Sequence, residues 1–76
     1  MQAVVYVGQR LKALRIEAAL TQAELAEKAG VAVNTVAELE RDEREPHMST
    51  ARKLAEALGV PPSVITVGRS QGGDDA

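Results

Sequence analysis

Cysteine is missing from this sequence, and with it go disulfide frameworks, thiolate metal sites and thiol nucleophiles. Aromatics are nearly absent too, with one tyrosine and no phenylalanine or tryptophan, so any core must be built from leucine, valine, isoleucine and alanine. Such side chains suit short, closely packed helices. No stretch approaches the roughly 20 apolar residues of a membrane span. The opening MQAVVYVGQR has a brief apolar run with no basic segment ahead of it, so neither a signal peptide nor an anchor is expected. The single histidine, His47, has no second histidine or cysteine with which to share a metal. An excess of positive charge is lacking as well: nine Lys and Arg stand against eleven Asp and Glu, for a formal net charge of −2. With 76 residues the chain is expected to form one domain of modest stability, since a chain of this size buries only about 60% of its unfolded surface.

What is present reads as helix throughout. Val7, Leu11 and Leu14 recur at helical spacing opposite Gln9, Arg10, Lys12, Arg15 and Glu17, which predicts a first helix over residues 8 to 18. Thr21 with Glu24 three residues on is a capping box that starts a second helix at Gln22, and Gly30 stops it. Its inward face is Leu25, Ala26 and Ala29. A third helix is expected from Val33 to Arg41, with Val36 and Leu39 inward and Asn34, Thr35, Ala37, Glu38 and Arg41 outward. Ala32 offers it only a weak cap. Beyond Pro46 a fourth helix places Met48, Ala51, Leu54, Ala55 and Leu58 on one face until Gly59 ends it. Pro61 and Pro62 open a short fifth helix holding Val64 and Ile65. From Gly68 the chain is small, polar and acidic, so residues 67–76 are expected to be a disordered tail after a domain over residues 1–66. No internal repeat or heptad is visible.

Within this pattern residues 22–41, QAELAEKAGVAVNTVAELER, carry the most information. Ala26 leaves room for a second helix to approach, Gly30 supplies a left-handed exit from the first, and Leu25, Val31, Val36 and Leu39 fill the wedge between them. That is the geometry of a helix-turn-helix. With RLKALRIEAALT before it and EREPHMSTARKLAEALGVPPSVI after it, the chain resembles the Cro/C1 repressor family, also called the XRE family, over roughly residues 7 to 66. The resemblance implies an all-α, compact five-helix bundle of the lambda-repressor kind, with the helix-turn-helix formed by helices two and three. It further implies a sequence-specific binder of double-stranded DNA that regulates transcription as a repressor, dimeric on a palindromic operator.

In such a motif the second helix lies in the major groove and its first two turns reach base edges. Here those positions are Val33, Asn34, Thr35 and Glu38. Asparagine pairs with adenine, valine methyls touch a thymine methyl, and a glutamate accepts from the cytosine amino group. Gln22 matches the family's glutamine that holds a phosphate at a helix N-terminus, where the helix dipole favours an anion. Arg15 and Glu40 match a structural arginine–glutamate pair of the family, and His47 stands where the family usually keeps a serine or threonine cap. The family's docking mode, with the start of helix one and the loop into helix four near the backbone, implies Arg10, Arg41 and Arg44, with Arg52, as the phosphate partners.

Two features depart from the family pattern. Ala19 replaces the glycine between helices one and two, and a left-handed alanine costs about 1 kcal/mol or more. Residues 33–46 hold Arg41 and Arg44 against Glu38, Glu40, Asp42, Glu43 and Glu45, so the segment beside the expected groove helix sums to 2 − 5 = −3. Few phosphate contacts predict weak, salt-sensitive binding, for which a dimer is the family's remedy. Its surface would come from the fifth helix, the fourth helix or the N-terminal AVVYV. A competing reading is a protein-interaction module on the same scaffold, with the acidic face binding a basic partner. No catalytic constellation is assembled, so no enzyme activity, cofactor, metal or small-molecule effector is expected, and the setting is expected to be cytoplasmic.

Overall fold

The computed structural model describes residues 7–66; the expected tail at 67–76 and all but the last residue of AVVYV lie outside them. Five helices follow one another: α1 (Val7–Glu17), α2 (Gln22–Ala29), α3 (Val33–Glu40), α4 (Met48–Leu58) and α5 (Pro62–Thr66). There is no strand among the described residues. Helix α2 packs on α3 and α4, while α1 packs on α3 and α5, and α4 on α5. Between them lies one core of Val7, Leu11, Leu25, Ala26, Val36, Leu39, Leu54, Ala55 and Ile65, all buried. The helices turn these apolar residues inward, and no polar or charged residue joins that core.

Local chemistry explains where these helices begin. Thr21 Oγ1 accepts from the Glu24 backbone N–H at 3.0 Å, and Glu24 Oε1 accepts from the Thr21 N–H at 2.8 Å, closing the capping box of α2. Ala32 at the start of α3 and His47 at the start of α4 make no side-chain cap. Met48 corrects the expected face of α4. Although it shares the spacing of Ala51 and Ala55, it is 55% exposed while they are buried.

Four helices end in the same way. A residue in the left-handed region follows each, and the next N–H reaches back five residues to a carbonyl: Leu20 to Arg15, Val31 to Ala26, Glu43 to Glu38 and Val60 to Ala55, at 2.9 to 3.1 Å. This is the Schellman arrangement. The left-handed residues are Ala19 (φ 62°), Gly30 (φ 77°), Asp42 (φ 58°) and Gly59 (φ 74°). Ala19 therefore makes the turn a glycine would make, strain included.

Candidate nucleic-acid interface

On α3, Val36 and Leu39 are buried, so the opposite side of the helix looks outward. Val33 and Asn34 are exposed, while Thr35 and Glu38 are half-buried. Asn34 and Glu38 stand four residues apart and so occupy one face in successive turns. The structure thus brings together an apolar methyl pair, an amide and a carboxylate at the start and middle of the second helix of the motif.

Beneath this face a polar junction locks three helices. Arg15 of α1 donates through Nε to Glu40 Oε2 at 2.6 Å and through Nη2 to Oε1 at 3.1 Å, a two-point pairing whose side chains are only 12% and 3% exposed. A third guanidinium donor, Nη1, reaches the Leu20 carbonyl at 2.8 Å and ties off the turn after α1. Gln22, the first residue of α2, donates its amide to Glu40 Oε1 at 2.9 Å. Burial alone would raise the Glu40 pKa, but the hydrogen bonds from Arg15 and Gln22 outweigh it and hold the carboxyl below its ordinary range. The hydrogen bond to Glu40 likewise raises Arg15. The pairing expected of Arg15 and Glu40 is present. Gln22, expected on a phosphate, spends one amide hydrogen on Glu40 inside the protein.

Two of the expected phosphate arginines also have partners. Arg41 makes a two-point contact to Glu43 at 2.8 and 3.1 Å, which raises the arginine and lowers the glutamate. Arg44 Nη1 donates to Glu38 Oε1 at 3.1 Å. Arg10, half-buried on α1, has no ion pair among the described residues. The −3 counted over residues 33–46 becomes −2 once Arg15 is added, and Glu38, Glu40 and Glu43 each have an arginine.

One contact escaped the sequence reading. Asp42 Oδ1 accepts from the Gly8 N–H at 3.0 Å, so the residue that ends α3 also caps the start of α1. Gly8 is buried, and a Cβ there would lie 2.4 Å from the Leu39 carbonyl oxygen and 2.5 Å from that of Glu40. Among the described residues no group of His, Cys, Asp and Glu is arranged to hold a metal, and no helix is long and apolar enough to cross a membrane.

Comparison with known proteins converges on this motif. A family model described as helix-turn-helix matches residues 11–65. The immunity repressor protein of Bacillus phage phi105 is 49% identical over 59 residues, covering 78% of this chain and 41% of the repressor. The transcriptional regulator ImmR of Bacillus subtilis is 41% identical over 54 residues, covering 71% of this chain and 42% of that protein. This chain therefore spans less than half the length of either relative. Among solved structures, the restriction-modification controller protein C.AhdI from Aeromonas hydrophila superposes with a TM-score of 0.76 at 36% identity, covering 80% of this chain and 92% of the controller. A SinR protein/SinI protein complex gives 0.75 at 35% identity, covering 78% of this chain and 58% of that one.

Proposed function

Because this chain belongs to the helix-turn-helix family of the Cro/C1 repressor (XRE) type, we propose that it represses transcription by binding a palindromic operator as a dimer, with α3 in the major groove. The observation that carries this reading is the outward row on α3: Val33, Asn34, Thr35 and Glu38 stand clear of a core that Val36 and Leu39 anchor. Asn34 reads adenine, Val33 meets a thymine methyl, and Glu38 accepts from a cytosine amino group. Gln22 and the first N–H groups of α2 take a phosphate, and Arg10, Arg41 and Arg44, with Arg52, bring positive charge to the backbone. Residues 1–66 act as the binding domain, 67–76 as a polar tail, in a cytoplasmic setting, without catalysis or a cofactor. Relatives named as an immunity repressor and a restriction-modification controller support the regulatory role.

Internal pairing disfavours the rival reading of an acidic docking face. Glu38, Glu40, Asp42 and Glu43 are each engaged by a donor within the chain. A basic partner would have to displace them.

Selection of bound sequences from a random duplex pool tests the proposal. A palindrome with half-sites about 10 base pairs apart is expected, with Asn34→Ala relaxing one position at a cost of about 1–3 kcal/mol. If no sequence is enriched at low salt and Asn34→Ala binds random duplex as the parent does, the DNA reading fails.

A further inference from the structure

Glu38 poses a problem for any helix that enters a groove between two phosphate backbones. A bare carboxylate there is repelled by every nearby phosphate, yet it is also the side chain suited to a cytosine amino group. Arg44 resolves the conflict in the structure. Its Nη1 sits 3.1 Å from Glu38 Oε1, setting a positive charge beside the carboxylate while occupying one oxygen and leaving Oε2 as an acceptor.

The backbone puts Arg44 there. Asp42 adopts φ 58°, and the Glu43 N–H returns to the Glu38 carbonyl at 2.9 Å, so the chain folds back over the last turn of α3. The Asp42 side chain is in turn fastened to the Gly8 N–H at 3.0 Å. Arg44, six residues past Glu38 in sequence, is thereby carried back to it by a turn anchored at both its backbone and its side chain. Arg41 differs, since its partner Glu43 is a near neighbour in the same exposed loop and the pair involves no residue of the outward row.

We infer that Arg44 is a positioning residue for specificity: it holds Glu38 in place as the reader of one base pair and does not contribute an independent phosphate contact. This rests on the DNA-binding reading above and narrows the part that Arg44 plays in it. The guanidinium restricts the Glu38 rotamer and offsets its repulsion, so losing Arg44 should damage base choice at the position Glu38 reads.

The test uses the full chain and the duplex it enriches from a random pool, with Glu38→Gln, Arg44→Gln and the double variant. Dissociation constants are measured for that duplex and for its single-base-pair variants over a salt series. Both residues are on the surface, and far-UV circular dichroism verifies that each variant keeps its helices. Glu38→Gln is expected to flatten discrimination at one base pair per half-site, from roughly ten-fold to near unity. Arg44→Gln should flatten the same pair and no other, and weaken duplexes generally only while the Glu38 carboxylate is present; in the Glu38→Gln background it should change neither discrimination nor the slope of log K against log salt. The inference is overturned if, in the Glu38→Gln background, Arg44→Gln still weakens all duplexes alike and lowers that slope by about 0.9, the signature of one lost phosphate contact. It is equally overturned if the two effects add. Should the parent chain enrich no sequence, the proposed function falls and the inference with it, an outcome distinct from the other two.

Discussion

Ala19 and Gly30 occupy equivalent places after α1 and α2, with φ of 62° and 77°, yet only one is a residue at ease there. An L residue with a Cβ crowds its own carbonyl in the left-handed region, at a cost of about 1 kcal/mol or more. Replacing Ala19 with glycine should therefore raise stability by about 1 kcal/mol, and Gly30→Ala should lower it by a similar amount. In a domain of this size each change moves Tm by about 4–8 °C in opposite directions, which thermal melts will show. Nothing lies within 4 Å of a Cβ built at Gly30, so packing would not blur the comparison. The Gly30 turn was legible in the sequence, whereas alanine in place of glycine at position 19 pointed to a different turn and the structure keeps the left-handed one. Asp42 was not legible, because an aspartate in an acidic loop looks like solvated surface until its partner on α1 is known.

At the scale of the elements, α1 comes close to the end of α3 at Gly8. Gly8→Ala would improve helix propensity by about 1 kcal/mol, but the added methyl would meet two backbone carbonyls at 2.4 and 2.5 Å. Backbone cannot swing aside as a flexible side chain can. The expected result is a net loss of about 2 kcal/mol, in the range of core overpacking, measured as a lowered urea midpoint. An unchanged or raised midpoint would mean that α1 shifts freely against α3. The helices themselves were readable from apolar spacing, Thr21 with Glu24, and the stops at Gly30 and Gly59. Met48 was misplaced for a physical reason: periodicity gives the direction a residue faces, while exposure depends on whether another helix extends that far.

For the whole molecule, the junction of Arg15, Glu40 and Gln22 joins α1, α2 and α3 into one unit. Burial disfavours ionised Glu40, yet its hydrogen bonds from Arg15 and Gln22 prevail and lower its pKa on folding. A lowered carboxyl pKa stabilises the fold above the ordinary glutamate value of about 4.3. That contribution fades as pH falls through the depressed folded value. Glu40→Gln should cost about 3 kcal/mol at pH 7, since it leaves Arg15 with an uncompensated charge in a nearly closed site. Urea melts of both proteins from pH 7 down to pH 3 should show the gap between them narrowing on acidification. A constant gap would mean that Glu40 does not titrate differently on folding.

The sequence by itself determined the helices, the motif at residues 22–41 and the family to which the chain belongs, because capping, apolar period and the small residues at the crossing are local or nearly local requirements. It also indicated the outward row on α3, which follows from the inward positions of Val36 and Leu39. Only the tertiary structure decided how the charges are spent. The Arg15–Glu40 pair was expected from the family resemblance, but a count of −3 beside the groove helix says nothing of an aspartate turned to cap another helix or an arginine folded back onto Glu38. Pairing depends on distances between groups far apart in the chain or on opposite sides of a turn, and those distances exist only once the helices have packed.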